Sequence, residues 1–151
     1  MVIRNANIDD CKQYFDWVNE ETVRLHSFNT ELIKWNDHQK WFENKLNSQS
    51  SHLYVCEIGS DIIGQVRFDL VDNYYNIDYS IDKEFRGKGY AYNMLFAAIQ
   101  KLKDLTQTSF FLKAEVKRDN FASLRVFEKL EMDRILVDEI VRFEKHVINN
   151  G

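Results

Sequence analysis

Apolar side chains at Ile8, Cys11, Tyr14, Phe15 and Val18 recur at the spacing of one helical face, and Asn7 just ahead of them is suited to capping a helix start. A short strand, VIR, precedes this helix. The next helical pattern begins near Asn36 or Asp37 and carries Trp41, Phe42 and Leu46 on one side. Between the two, VRLHSFNTELIKW has no clean period and reads as a loop with a functional rather than a packing role. Two β-rich runs, SHLYVCEI and IIGQVRFDL, flank the turn-forming Gly59-Ser60-Asp61; Asp72-Asn73 marks a further turn, and YYNIDYSI completes three antiparallel strands. From Tyr90 to Leu105, the side chains of Ala91, Met94, Leu95, Ala98, Leu102 and Leu105 trace the longest helical face in the chain. SFFLKAEV is another strand, after which Asn120 can cap a helix bearing Ser123, Val126, Phe127 and Leu130 on one side. The tail, RILVDEIVRFEKHV, closes as a β pair. The order β-α-α-β-β-β-α-β-α-β-β predicts an α+β, or mixed α/β, layer fold with a central sheet covered by helices.

Length and composition narrow the picture further. A chain of 151 residues with 44% hydrophobic and 29% charged residues builds one core, so residues 1–151 are expected to form a single domain without a disulfide or metal staple. No apolar run approaches the about 20 residues of a membrane span, and the N-terminus lacks the basic start and apolar stretch of a secretory signal. Neither Cys11 nor Cys56 sits in a metal-spaced cluster, so no metal is expected and a reducing cytoplasm is the simplest setting. With 24 acidic against 20 basic residues the net charge is −4, which argues against a nucleic-acid partner.

The chain has five glycines and no proline, yet two of those glycines fall in FRGKGYA, directly before the longest helix. A helix N-terminus offers unpaired N–H groups and the positive end of its dipole, and glycines remove the side chains that would hold an anion away. Arg86 and Lys88 add charge of the right sign. Either this is a phosphate-binding loop or it is a helix entry with two turn glycines and solvated basic residues; the pattern alone leaves both open.

RGKGYA, from Arg86 to Ala91, resembles the R/Q-x-x-G-x-G/A signature of the GNAT acyltransferase superfamily, in that family's position between its fourth strand and third helix. NFASLRVFEKLEM, from Asn120, is similar to the family's N-x-x-S-x-x-x-Y-x-K-x-G-F segment, and the element order fits along almost the whole chain. The resemblance implies a mostly antiparallel twisted sheet, splayed between its fourth and fifth strands and flanked by helices. It implies acetyl-coenzyme A (coenzyme A) as acyl donor, its pyrophosphate held by backbone N–H groups of Arg86, Gly87, Lys88, Gly89, Tyr90 and Ala91. By position, Tyr79, Ser80 and Ile81 would offer backbone groups to the pantetheine arm, Asn120 would contact that arm, Ser123 would lie near it, and Phe127 would pack beside the thiol end. Asn120 is equally well placed to be a plain helix cap.

The reaction so implied is direct transfer of the acetyl group to an amine within a ternary complex. The amine must lose its proton, and the thioester oxygen must be stabilised as charge develops on it. A backbone N–H near Ile81 is the candidate for the second task. For the first, Asn76, Asp78 and Ser80 alternate onto one face of the fourth strand, and only Asp78 among them accepts a proton at neutral pH; a surface carboxylate and a water relay are the alternatives. The chain departs from the family pattern at two positions. The tyrosine that often protonates the leaving thiolate is Phe127 here, and the glycine that usually ends that helix is Glu131. On the acceptor side, SFN, Ile33 and HQKWF are similar to bacterial N-acetyltransferases acting on nucleotide-linked amino sugars. Arg24, His26, Ser27, Phe28 and Asn29 would then face a nucleotide or sugar, whereas Trp41 and Phe42 read as core. The expected partner is a small-molecule amine, most simply an amino sugar. A protein α-amino group and a binding module that holds coenzyme A without catalysis are the alternatives, and monomer and homodimer are both open.

Overall fold

The computed structural model describes residues 1–150. Among them the chain order is β1 (Val2–Asn5), α1 (Cys11–Val18), α2 (Glu21–His26), α3 (Trp35–Asn47), β2 (Ser51–Ile58), β3 (Asp61–Val71), β4 (Tyr74–Ile81), α4 (Tyr90–Thr106), β5 (Phe110–Lys117), α5 (Phe121–Lys129), β6 (Asp133–Val137) and β7 (Ile140–Val147). The strands form one sheet in the order β1-β2-β3-β4-β5-β7-β6, antiparallel at every pairing except β4 with β5. This is the mixed α/β, mostly antiparallel architecture that the order of elements predicts.

Alternation along the strands loads the two faces differently. One face receives α4 and α5: Met94, Leu95, Ala98 and Leu102, with Phe127 and Leu130, pack on Val66, Phe68, Ile77, Ile81, Leu112 and Ala114 in the larger core. The other face receives α1 and α3, where Cys11, Tyr14, Trp17 and Phe42 cover Leu53 and Val55. Tyr14 stays in this core because its hydroxyl donates to the Tyr54 carbonyl at 2.7 Å. Gly64 marks where β3 meets α4 most closely: a Cβ there would stand 2.6 Å from the Ser80 carbonyl oxygen and 2.9 Å from Met94 Sδ.

The predicted helix start at Asn7 is realised as a short 3-10 turn leading into α1, with Asn7 Oδ1 accepting from the Asp9 N–H and Asp10 answering the Asn7 N–H. The stretch expected to be a loop is only partly one. Residues 21–26 form α2, whose N-terminus is capped by Glu20 Oε2 accepting from the Val23 N–H at 3.3 Å. At the end of α5, Glu131 adopts φ 61, the left-handed conformation of the glycine it stands in for, and its N–H donates to the Glu128 carbonyl at 2.9 Å. No helix among the described residues is long and apolar enough to cross a membrane.

Candidate active site between the splayed strands

β4 and β5 are register partners at three positions only, Tyr74 with Phe111, Tyr75 with Leu112 and Asn76 with Lys113. Beyond them the two strands diverge, although β4 stays in register with β3 up to Ile81 and β5 with β7 up to Lys117. A gap therefore opens inside a sheet that is otherwise closed. The Asp82 N–H donates to the Ile63 carbonyl at 2.8 Å, which fixes the ladder phase: Ser80 and Asp78 direct their backbone groups to β3, while Tyr79 and Ile81 direct theirs into the gap. Ser80 is thereby corrected as a backbone donor to a ligand. Its N–H and C=O belong to the β3 ladder, and its side chain accepts from Gln65 at 3.2 Å.

At the mouth of the gap, Asp82 starts a 3-10 turn, its Oδ1 accepting from the Glu84 N–H at 3.0 Å and its Oδ2 from Trp17 Nε1 at 2.9 Å. Gly87 and Gly89 follow with φ 76 and 78, a conformation that side chains other than glycine's rarely adopt. A Cβ built on either meets nothing within 4 Å, and the N–H groups of Gly87, Lys88 and Gly89 make no hydrogen bond among the described residues. With the orphan N–H groups of the first turn of α4 behind them, these form an open cradle of donors suited to a pyrophosphate. Arg86 does not aim its charge into this cradle. Its Nε donates to the Ile81 carbonyl at 2.9 Å and its guanidinium pairs with Glu20 at 2.8 Å. Lys88 is exposed, with its Nζ 5.7 Å from the centre of the Phe85 ring.

On the α5 side, Asn120 Oδ1 caps the helix by accepting from the Ser123 N–H at 3.3 Å, so its amide nitrogen is the group left for a ligand. Ser123 Oγ and the Tyr79 hydroxyl lie 2.6 Å apart across the gap. Burial pushes the Tyr79 phenol above its ordinary value, so it stays protonated at neutral pH. Phe127 is 2% exposed and lies between Tyr79 and Phe143, with ring centroids at 5.8 and 5.4 Å. It is a core residue, packed on the α5 side of the gap.

The other face of β4 is polar. Asn76, Asp78 and Ser80 stand beside Asp69, Arg67 and Gln65 of β3 in register. The Asp78 side chain is 50% exposed, and its Oδ2 accepts from Gln65 Nε2 at 3.1 Å and lies 3.7 Å from Arg67. Over this face runs the segment from Glu20 to Ile33, tied to both splayed strands: Glu20 holds Arg86 after β4, and the Leu25 carbonyl accepts from Lys117 Nζ at the end of β5 at 3.1 Å. This strap is stapled from within by Arg24, 9% exposed, whose guanidinium donates to the carbonyls of Val18, Asn29 and Glu31 and to Ser27 Oγ. Ser27 Oγ itself donates to the Val23 carbonyl at 2.6 Å. Arg24 and Ser27 are therefore not free to face a nucleotide, because their polar groups are consumed by the strap's own backbone. Asn29 Oδ1 turns back to the Glu31 N–H, His26 is half-buried, and Phe28 is 57% exposed.

The sequence reading missed Glu20, Lys117 and Gln65. Glu20 alone carried a visible cue, an acidic side chain three residues ahead of the N–H it caps. Among the described residues no group of three or more His, Cys, Asp or Glu is placed to hold a metal ion.

A family model described as an acetyltransferase (GNAT) domain matches residues 1–133. The chain belongs to the GNAT acetyltransferase family. It is an N-acetyltransferase that uses acetyl-coenzyme A. Among solved structures, this GNAT chain is similar to a spermidine N-acetyltransferase from Vibrio cholerae in complex with CoA and spermine, at 12% identity and TM-score 0.82, covering 98% of this chain and 95% of that one. A ribosomal-protein-alanine N-acetyltransferase from Brucella melitensis matches at 15% identity and TM-score 0.80, covering 96% and 99%. An uncharacterized protein from Bacillus halodurans matches at 20% identity and TM-score 0.76, covering 98% and 83%. At these identities the likeness is one of fold. The particular closeness to amino-sugar enzymes expected from SFN and HQKWF is not repeated in these matches. The cradle at Gly87–Gly89 and the gap-facing backbone of Tyr79 and Ile81 fit the donor: the first supplies unpaired N–H groups for phosphates, the second a slot for an extended chain.

Proposed function

We propose that this GNAT enzyme acetylates the primary amine of a small cationic acceptor that enters on the Asp78 face of the sheet, beneath the strap. The observation that carries the reading is the half-exposed Asp78 carboxylate on β4, the strand that also lines the gap. An anionic group at this place favours an ammonium over a phosphorylated acceptor, and the cation offered for a nucleotide, Arg24, is turned inward. The spermidine enzyme among the similar folds supports an acceptor of this class. A strap tied to both strands suits a compact acceptor better than an extended peptide.

Acetyl-coenzyme A supplies an activated thioester. The N–H groups of Gly87, Lys88 and Gly89 hold its pyrophosphate, and Tyr79 and Ile81 orient the pantetheine arm through the backbone groups that β5 leaves unpaired. The Ile81 N–H stands at the end of the gap to stabilise the charge developing on the carbonyl oxygen, its own carbonyl being fixed by Arg86. Asp78 takes the proton of the acceptor ammonium, freeing the nitrogen lone pair. Phe127 has no proton to give, so the thiolate is protonated by solvent, a tolerable route because a thiol is far more acidic than an alcohol. A cytoplasmic setting suits Cys11 and Cys56, both free and buried.

Thiol release from acetyl-coenzyme A, measured across linear diamines and polyamines, amino-sugar nucleotides and N-terminal peptides, tests the reading. Turnover confined to the polyamines, with Asp78→Asn slowing kcat about 100-fold or more, is the expected result. Turnover only with peptides or sugar nucleotides overturns the acceptor class, and coenzyme A binding without turnover on any amine reduces the protein to a binding module.

A further inference from the structure

Gln65 is a buried amide on the polar face shared by β3 and β4. It is 6% exposed on β3, flanked in register by Val55 of β2 and Ser80 of β4. Its Nε2 uses both hydrogens, donating to Asp78 Oδ2 at 3.1 Å and to Ser80 Oγ at 3.2 Å. Its Oε1 is buried and has no hydrogen-bond partner among the described residues. The amide cannot relieve this by turning over, because an ionised carboxylate only accepts and so needs the nitrogen end. A half-satisfied buried amide is costly to keep, which implies that its nitrogen end does something an apolar side chain would not.

That something is legible in how Asp78 is held. Both protein contacts of the carboxylate, Gln65 Nε2 and Arg67 at 3.7 Å, go to Oδ2, while Oδ1 makes no hydrogen bond among the described residues. Arg67 is itself fixed, its Nε 2.7 Å from Asp69 Oδ2 and its guanidinium 4.9 Å from the centre of the Trp41 ring. One carboxylate oxygen is thus anchored to β3 and the other presented on the open side. We propose that Gln65 is a positioning residue of the transfer reaction: through Nε2 it locks the Asp78 carboxylate so that Oδ1 faces the acceptor ammonium and takes its proton. The inference rests on the reading of Asp78 as the base.

Two variants test it against a merely structural role. Gln65→Leu keeps the volume and removes the lock; kcat is expected to fall about 10-fold or more, the lower range of a positioned acid–base group, with the KM for acetyl-coenzyme A and the melting temperature near the parent's. The loss should vanish in the Asp78→Asn background, since two residues acting through one proton transfer are not additive. Gln65→Glu places a second carboxylate beside Asp78, and the acidic limb of the kcat/KM profile is expected to move to higher pH. Parent-like kcat in Gln65→Leu, or a loss of equal size with Asp78 and with Asn at that position, overturns the inference while leaving the acetyl-transfer reading intact. A wild-type protein that binds acetyl-coenzyme A yet acetylates no amine overturns both.

Discussion

Gly89 and Gly59 provide a matched pair of perturbations, one inside the cradle and one outside it. Both have positive φ, 78 and 61, and a Cβ built on either meets nothing within 4 Å. Alanine at either position must hold the left-handed conformation, which costs an L-residue about 1–2 kcal/mol. For a domain of this size each kcal/mol lowers Tm by about 2–4 °C, so Gly89→Ala and Gly59→Ala should both melt about 2–8 °C below the parent. Their ligand behaviour should diverge. Gly59 sits in the turn between β2 and β3, whereas Gly89 is the residue before α4 whose N–H is unpaired. Displacing one charge-assisted hydrogen bond to a phosphate forfeits about 1.5–3 kcal/mol, or about 10- to 150-fold in Kd. Titration calorimetry with coenzyme A on the three proteins at a temperature well below all three transitions measures this. Weakened binding in Gly89→Ala with parent-like binding in Gly59→Ala is expected. Equal affinities in all three would refute the claim that the Gly87–Gly89 N–H groups hold the pyrophosphate, whatever the melting curves say.

Two further expectations follow from burial and charge. Phe127→Ala should cost about 3–5 kcal/mol as a cavity opens beside Tyr79 and Phe143, whereas Phe127→Tyr should change kcat by less than about 10-fold, because the ring is held in the core between those two rings; chemical unfolding and steady-state rates check both, and a large gain with tyrosine would give position 127 a part in the proton transfer. In acid the strap should loosen. Burial pushes the Glu20 carboxyl up, but hydrogen bonds from Arg86 and from backbone N–H groups of α2 more than reverse this, and Asp10 beside Arg4 is lowered likewise against its burial. Carboxyls lowered in the folded state contribute stability that is complete above their unfolded values, about 4, and is lost as pH falls through the folded ones. Melting temperatures from pH 7 to pH 3 should be level and then drop below about pH 4.5, and Arg86→Met should reduce the part of the drop that belongs to Glu20; an unchanged drop would contradict the assignment.

What the sequence made legible was what repeats along it. The periods of α1, α3, α4 and α5 reflect burial of one helical face, while β2 and β3, buried on both faces at their centres, read as β-rich runs bounded by turn residues. The helix α2 is too short, at six residues, to show a period, and its order comes from partners remote in sequence: Arg86 is 66 positions from Glu20 and Lys117 is 92 from Leu25. The same reason explains the misreading of Arg24 and Ser27. A guanidinium spent on three backbone carbonyls looks, in one dimension, like a guanidinium waiting for a phosphate. Ser80 was misassigned by a single step of ladder phase, since adjacent residues of a strand direct their backbone groups to opposite edges. The glycines at 87 and 89 were readable because positive φ and an open approach both demand the same residue.

The site is held together by a few side chains that each serve two elements. Glu20 Oε2 accepts from the α2 backbone and from Arg86, so the strap over the acceptor face and the loop that forms the cradle share one carboxylate. Arg86 continues the chain to the Ile81 carbonyl, so the residue whose N–H is offered to the reacting oxygen is set relative to both. Lys117 closes the circuit from β5 back to the strap at Leu25, across the gap that the two strands leave open. A parallel pair that separates after three rungs would otherwise be free to flex at its open end. Here that end is braced from outside the sheet, which leaves the backbone groups of Tyr79 and the N–H of Ile81 facing the gap, unpaired by β5 yet fixed in place. A binding slot needs both properties together: unpaired groups give the donor something to bind, and fixed groups spare it the cost of ordering them.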